Sequence, residues 1–160
     1  MGHRANYVVI KKGTAKAYRD RWGAMGCVYS FADGPTAAID AISDADTVDE
    51  LLGWSYAEGG YLIDFDKKVA IVFGEPFADD FDESPGEEID AGSEINVAFE
   101  KGEKEYLRLI APRWKGWKLI FDDHGVDAFS VYLESRAITS IKCQTPSHPE
   151  TTRPPVTLNA

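Results

Sequence analysis

Two strand–turn–strand patterns constrain the fold of this chain more than any other feature of its sequence. The first spans Tyr7–Arg19 around a turn at Gly13, and the second spans Tyr61–Phe73 around a turn at Asp66–Lys68. β-Branched and aromatic residues on both sides of a short glycine-containing or polar turn are typical of a β-hairpin. The second pattern is the more apolar of the two, so we expect it to lie near the centre of a sheet.

Helix patterns follow the first hairpin. Pro35 suits the first turn of a helix, where a missing N–H loses no partner, and Ala38, Ile39 and Ile42 then share one side. Similar patterns predict a second short helix from about Asp46 that ends before Gly59-Gly60, helices at Glu103–Ile110 and Val126–Leu133, and strands at Trp117–Phe121 and Ala137–Lys142.

This order of elements predicts an α+β fold. Hairpins pair neighbouring strands antiparallel, and the interspersed helices must cover a face of the resulting sheet. We expect a single domain over residues 1–143, with a mixed or mainly antiparallel sheet built from the two hairpins plus one or two further strands. Residues 144–160 contain four prolines and few apolar side chains, which predicts a loose C-terminal tail.

No segment predicts export or membrane insertion. The first six residues lack an apolar signal core, and the longest apolar runs, such as Val69–Phe73, are much shorter than a membrane span. Cys27 and Cys143 are far apart and in no C-x-x-C arrangement, so we expect two small buried thiols rather than a disulfide. The sequence therefore predicts a cytoplasmic protein without a membrane partner.

Acidic residues are concentrated in one segment that contains no Lys or Arg. Without its nine carboxylates the formal net charge would change from −10 to −1, so this segment makes an otherwise nearly neutral molecule anionic. A concentrated negative field attracts basic partners and repels polyanions. The nine residues are Glu75, Asp79, Asp80, Asp82, Glu83, Glu87, Glu88, Asp90 and Glu94.

Three interpretations of this acidic segment remain open: a nonspecific divalent-cation site, a solvated loop that keeps the protein soluble, or a partner-binding surface. A calcium loop does not fit, because Pro85 and Ala91 occupy the positions that need glycine and a bidentate glutamate. Phe77, Phe81 and Ile89 favour partner binding, although they could equally attach the loop to the body of the protein. We predict no metal site, and partner binding by Asp79, Asp80, Phe81, Asp82, Glu83, Glu87, Glu88 and Asp90.

Patterns that indicate catalysis are sparse. His124 is the one histidine away from the termini, and a turn after a strand explains it more simply than catalysis. No serine or cysteine has the surroundings of a nucleophile, and no phosphate-binding glycine motif is present. We predict no catalytic residue and no cofactor. The alternative is a small hydrolase or ligand-binding enzyme in which Glu58, Asp64 and His124 surround a tryptophan-lined pocket, although alternation predicts an outward position for Asp64.

The four tryptophans are more typical of a core and its hydrogen-bonded rim than of a stacking site. A nucleic-acid platform would combine aromatic side chains with a basic groove. The overall negative charge argues against such a platform, so we predict no nucleic-acid partner. The cations that surround Trp114 are Arg108, Arg113, Lys115 and Lys118.

Six short motifs resemble those of a family of small, uncharacterised bacterial proteins. They are Arg4-Ala5-Asn6-Tyr7, Trp22-Gly23-Ala24, Gly34-Pro35, Ala57-Glu58-Gly59-Gly60, Phe73-Gly74 and Trp114-Lys115-Gly116-Trp117. The resemblance spans roughly Arg4 to Leu133 and implies a bacterial, cytoplasmic origin. It implies no activity, because none is established for that family. The acidic segment and the tail after Arg136 depart from the pattern, so any specialised role is expected there.

Some compact, acidic bacterial domains of this size are immunity proteins, which bind and block a cognate toxin. By that analogy the carboxylate-rich segment would enter an electropositive cleft of an interbacterial toxin, with fast, electrostatically steered association. We therefore predict a non-enzymatic acidic binding protein whose partner is a cognate protein toxin.

Overall fold

The computed structural model describes residues 4–21, 23–53, 57–76, 91–144 and 153–160. The fold is α+β, as predicted. The strands are β1 Ala5–Lys11, β2 Thr14–Asp20, β3 Asp46–Val48, β4 Glu50–Leu51, β5 Gly59–Asp64, β6 Val69–Phe73, β7 Lys118–Phe121, β8 Lys142–Cys143 and β9 Val156–Asn159. They form a mixed seven-stranded sheet in the order β3-β2-β1-β5-β6-β7-β9 and a separate two-stranded sheet of β4 and β8. The helices are α1 Cys27–Ala32, α2 Pro35–Asp40, α3 Ala91–Lys101, α4 Glu103–Ile110 and α5 Val126–Ser135.

Both predicted hairpins are present, and the more apolar one lies at the centre of the large sheet. β1 pairs antiparallel with β2, and β5 pairs antiparallel with β6. The two hairpins join through a parallel pairing of β1 with β5, and β7 then adds to β6, again in parallel. This arrangement places the starts of β1 and β5 at the same end of the sheet as the carboxyl ends of β6 and β7.

Each face of the large sheet has its own core. On the first face, α1 to α4 contribute side chains such as Phe31, Ala38 and Tyr106, which pack on Tyr61 and Val72. On the second face, side chains of α5, β4 and the segment that leads into β8 pack against the alternate residues of β1, β2, β5 and β6, such as Val8 and Leu62. Every residue of β5 is buried, because this central strand is covered on both faces.

The predicted helix from about Asp46 is wrong, since this segment forms β3 and β4. Thr47 and Val48 are β-branched and pair with Tyr18 and Ala17 at the free edge of β2, which satisfies their backbone groups without a helix. The side chain of Asn6, which is fully buried, reinforces this extended path. It donates to the carbonyl of Leu52 at 2.8 Å and accepts from the N–H of the same residue at 3.1 Å.

Other boundaries also differ from the sequence-based expectations. The residues Gly59 and Gly60 begin β5 rather than ending a helix. The predicted last strand is reduced to β8, two residues long, which pairs with β4.

The expectation of a loose tail is wrong for Val156–Asn159, which form the edge strand β9. β9 pairs antiparallel with β7, and Val156 and Leu158 pack against the core of the first face. The N–H of Ala160 continues this pairing by donating to the carbonyl of Trp117 at 2.8 Å. Alternating apolar residues thus form a strand here despite the prolines before them. Within the described ranges, no helix is long and apolar enough to span a bilayer.

Candidate partner-binding end of the sheet

One end of the large sheet carries carboxylates contributed by several strands, and we call it the acidic end. It comprises Asp20 at the end of β2, Glu58 before β5, Glu75 after β6, and Asp122 and Asp123 after β7. These residues lie at one end of the sheet because β6 and β7 run parallel and because β5 and β1 begin where they finish. The N–H of Asp122 donates to the carbonyl of Val72 at 3.0 Å, which fixes the Asp122-Asp123 turn beside the end of β6.

The electrostatic surroundings of Asp123 show how closely these carboxylates approach. Burial raises the pKa of Asp123 above its usual 3.8, Arg153 counteracts this, and the negative charges of Glu103, Asp122 and Glu75 raise the pKa further. Arg153 lies 3.1 Å from a carboxylate oxygen of Asp123 and also pairs with Glu103. Arg153, which precedes β9 in the chain, therefore links β9 to the start of α4 through Glu103 and to the acidic end through Asp123.

The predicted partner-binding residues lie between 77 and 90, outside the described residues, as do Phe77 and Ile89. Both flanks of that segment are described. On one side the chain leaves β6 through Gly74 and Glu75 at the acidic end, and on the other it continues into α3. α3 is held against α1 by a 2.6 Å hydrogen bond from the Tyr29 hydroxyl to Oδ1 of Asn96. The nine-carboxylate segment thus starts at the same end of the sheet as Asp122 and Asp123. The predicted partner-binding residues that lie outside the described ranges are the carboxylates Asp79, Asp80, Asp82, Glu83, Glu87, Glu88 and Asp90 and the aromatic Phe81.

His124 lies in the predicted turn after β7. Oδ1 of Asp122 accepts the backbone N–H of His124 at 3.0 Å and lies 2.7 Å from its Nδ1. The imidazole borders a groove of about 480 Å³ between α5 and strands β7 and β9, whose apolar surface includes Ile120 and Val131. Val131 is 66% exposed, so this groove is open to partners.

The three residues of the alternative enzyme hypothesis do not meet. Glu58 precedes the first residue of β5 and Asp64 is the last, so about 20 Å of extended strand separates them. His124 lies at the Glu58 end of the sheet, since it follows β7.

The expected outward position of Asp64 is also wrong: the residue is 0% exposed. Its Oδ1 accepts the N–H groups of Asp66 and Lys67 at 2.9 and 3.2 Å. Its Oδ2 accepts from the Tyr132 hydroxyl and from the guanidinium of Arg136.

The Arg136 guanidinium joins this buried carboxylate to a second one. It lies 3.5 Å from Oδ2 of Asp66, whose carboxylate accepts the N–H groups of Lys12 and Gly13 at 2.7 and 2.8 Å. These two backbone hydrogen bonds hold the pKa of Asp66 below its usual value, with a smaller contribution from Arg136. Asp64, Asp66 and Arg136 therefore attach α5 to the turns of both hairpins, which is a structural role.

The described tryptophans are core residues, as predicted. Trp114 is fully buried, stacks on Phe31 at 4.4 Å between ring centroids, and donates from its indole to the carbonyl of Phe31 at 2.8 Å. Trp117 packs edge-on against it and is 7% exposed. Trp22 and Trp54 lie outside the described residues. Two cations near Trp114 already have partners, since Arg108 pairs with Glu105 and Arg113 lies 3.8 Å from Asp33.

The motif residues surround a tightly packed position at Cys27 rather than a reactive centre. A Cβ on Gly59 would lie 2.7 Å from the Cys27 sulfur, one on Gly74 would lie 3.1 Å from it, and one on Gly23 would lie 2.3 Å from the Tyr7 hydroxyl. Glycine at these positions lets α1 approach the sheet closely. Burial raises the pKa of the Cys27 thiol to about 12, so it stays protonated. Both Cys27 and Cys143 are free thiols, as predicted, but only Cys27 is buried as expected, since Cys143 is partly exposed.

Comparison of the chain with models of known protein families, with curated proteins and with solved structures gave no match. In the described part of the chain, no group of three or more His, Cys, Asp or Glu side chains is arranged to hold a metal ion. The fold and the charge distribution are therefore the basis for a functional hypothesis.

Proposed function

We propose that this chain is a non-enzymatic acidic binding protein, and specifically an immunity protein that binds and blocks the active site of a cognate interbacterial toxin. The observation that carries the proposal is the placement of charge. Nine carboxylates occupy Glu75–Glu94, and this segment leaves the sheet beside Asp122 and Asp123. A nearly neutral body with one strongly acidic region suits a partner with an electropositive cleft.

The proposed mechanism follows from electrostatics at a protein interface. The carboxylates attract the cationic cleft over a distance set by ionic strength, so encounters are steered and association is fast. Phe81 then supplies an aromatic anchor that is desolvated in the complex, because interface hot spots are commonly aromatic. The toxin is inhibited because its active site is occupied. The protein acts in the bacterial cytoplasm, without nucleic acid or membrane as a partner.

A matched pair of charge-neutralised variants tests this function. In the test variant, Asp79, Asp80, Asp82 and Glu83 become Asn or Gln. In the control variant the same number of charges is removed from exposed residues of the body, namely Asp40, Asp44, Asp49 and Glu134. The toxin partner is first identified by capture from the source cell and then purified.

Association rate constants are measured at several salt concentrations. We expect the test variant to associate about tenfold or more slowly at low salt, with a flatter salt dependence, and the control to change much less. Equal effects in the two variants, or no salt dependence in the unmodified protein, would contradict the proposal. So would a captured partner that is not basic and whose toxicity the protein does not suppress.

One observation favours a second candidate, a small hydrolase. A carboxylate that orients an imidazole beside a groove, as Asp122 does with His124, is a common arrangement for a general base. Ser135 and Thr157 supply hydroxyl groups to the described lining of the same groove, and Ser135 lies nine residues beyond Val126, roughly 13 Å along α5. Ester hydrolysis that disappears in a His124→Ala variant would favour this candidate over the binding protein.

A further inference from the structure

The end of the sheet opposite the acidic end carries a cluster of lysines, which we call the basic end. It includes the turns of both hairpins and the start of β7, which the strand pairing places side by side. The N–H groups of Lys12 and Gly13 donate to Asp66 of the other hairpin, which confirms that the two turns touch. The lysines of this end are all exposed: Lys11, Lys12, Lys67, Lys68, Lys115 and Lys118.

A pocket of about 480 Å³ lies at this end, between α2 and the β1–β2 hairpin on the first face of the sheet. This volume is within the range of small-molecule sites, about 300–1,000 Å³. Its floor is apolar: Ile42 is 2% exposed, and Val9, Tyr18 and Ile39 pack against the core at the same place. The pocket therefore offers apolar contact to the body of a ligand.

Two lysines border the pocket from the same face of the hairpin. Val9 pairs with Lys16, and Lys11 pairs with Thr14, so Lys11 and Lys16 occupy diagonal positions on neighbouring strands. Diagonal neighbours are about 7–8 Å apart, close enough for both ammonium groups to reach one anion. Lys11 is also positioned by Phe65, since its Nζ lies 4.6 Å from the centroid of that ring.

The remaining polar groups of the lining limit the charge of the ligand. Asp40 is the one carboxylate there, so two cations and one anion leave a single net positive charge. Thr14 and Ser43 supply hydroxyl groups near the same rim. A monoanion with an apolar body matches this combination, because its single negative charge balances the net charge of the lining. The surrounding lysines of the basic end raise the local concentration of anions.

We propose that this pocket binds an amphipathic monoanion, namely a small carboxylate carried on an apolar body. The apolar body contacts Val9, Ile39 and Tyr18, and the carboxylate lies between Lys11 and Lys16. The pocket lies at the opposite end of the sheet from Glu75, where the acidic segment begins, so the two functions can be tested separately.

The test uses the full chain and decanoate as the probe, with 1-decanol as a probe of the same length that lacks the charge. Titration calorimetry should give saturable binding of one decanoate with a Kd below about 1 mM. The Lys11→Gln/Lys16→Gln variant should weaken decanoate binding about tenfold and remove the preference over decanol, because charge-assisted hydrogen bonds are lost. Lys12→Gln is the matched control, since Lys12 belongs to the same turn but not to the pocket lining, and should change the Kd less than about twofold.

Three results would overturn the proposal: no saturable decanoate binding, equal binding of decanol, or the same loss in Lys12→Gln as in the double variant. An Ile39→Ser variant, which alters a partly buried side chain of the apolar floor, should weaken both probes. Toxin binding through the acidic segment should be unchanged in all four lysine and isoleucine substitutions, so failure of this site would leave the proposed function intact.

Discussion

Replacing Arg136 by methionine tests how much the buried carboxylate of Asp64 contributes to stability. The substitution keeps most of the apolar stem of the side chain but removes the guanidinium that Asp64 and Asp66 accept hydrogen bonds from. Asp64 would then remain fully buried with a negative charge and no cation beside it. An unpaired buried charge destabilises the folded state because its ionic hydration is not replaced.

The geometry sets the expected magnitude. Removing one partner of a fully buried ion pair typically costs about 3–5 kcal/mol. Here the carboxylate keeps two backbone donors and the Tyr132 hydroxyl, and the Arg136 side chain is 18% exposed, so the loss should be smaller. We expect the free energy of unfolding to fall by about 2–3 kcal/mol. For a chain of this size, that corresponds to a decrease in Tm of about 4–12 °C.

Urea unfolding followed by tryptophan fluorescence measures the change, since Trp114 is fully buried in the folded state. Arg108→Met is the matched control: its ion pair with Glu105 is exposed at both partners, 57% and 39%, and should contribute less than about 1 kcal/mol. Adding Asp64→Asn to Arg136→Met should recover part of the loss, because the stranded charge is removed. If Arg136→Met costs no more than Arg108→Met, or the second substitution recovers nothing, the explanation by an unpaired charge is wrong.

Three further predictions concern single residues. Gly60→Ala should lower the unfolding free energy by about 3 kcal/mol or more, because the new Cβ would lie 1.9 Å from the Asn6 carbonyl oxygen. Gly13→Ala is the control and should cost only about 1–2 kcal/mol, because nothing lies within 4 Å of its new Cβ. Similar losses for the two variants in urea titrations would refute this explanation. The pKa of Asp66 is lowered in the folded protein, so the stabilisation from its carboxylate is present above pH 3.8 and is lost as the pH falls through the folded-state pKa. The difference in unfolding free energy between the unmodified protein and Asp66→Asn should therefore shrink on acidification below the folded-state pKa. A difference that stays constant with pH would contradict the lowered pKa of Asp66. The thiol of Cys27, with a pKa of about 12, should resist iodoacetamide at pH 8 in the native protein and should react once urea unfolds the chain. Peptide mass spectrometry measures the extent of alkylation. Rapid alkylation of the native protein would disprove the burial of this thiol.

The two hairpins and α4 are predicted correctly from the sequence because the information that defines them is local. Each hairpin carries its own turn and its own pairing partner, and α4 presents Tyr106, Leu107 and Ile110 on one face, so the short-range pattern contains the necessary information. The parallel pairings of β1 with β5 and of β6 with β7 join segments far apart in the chain. No local pattern indicates them.

The failures have a common physical origin in tertiary contacts. Alternation predicted an outward Asp64, but alternation is informative only when one face of a strand is solvated, and β5 is buried on both. The segment from Asp46 became extended because the edge of β2 offered backbone partners. In both places the surroundings, rather than intrinsic propensity, decided the outcome.

The same distinction applies to the candidate site. The acidic run from Glu75 is visible in the sequence, because it is contiguous. The proximity of its first residue, Glu75, to Asp122 and Asp123 is not visible in the sequence, because it depends on the parallel register of β6 and β7. The pocket between α2 and the first hairpin was missed for a related reason: Lys11 and Lys16 converge only through the cross-strand register.

Strand β9 also protects the protein from self-association. Without Val156–Asn159, the N–H and C=O groups along the outer side of β7 would be unpaired, next to the apolar residues Leu119 and Ile120. An open strand edge of that kind is a template on which another chain can add by backbone pairing. β9 is itself a poor template, since it is four residues long and is preceded by two prolines that lack an N–H donor. A short terminal strand therefore replaces an aggregation-prone border with one that discourages further growth of the sheet.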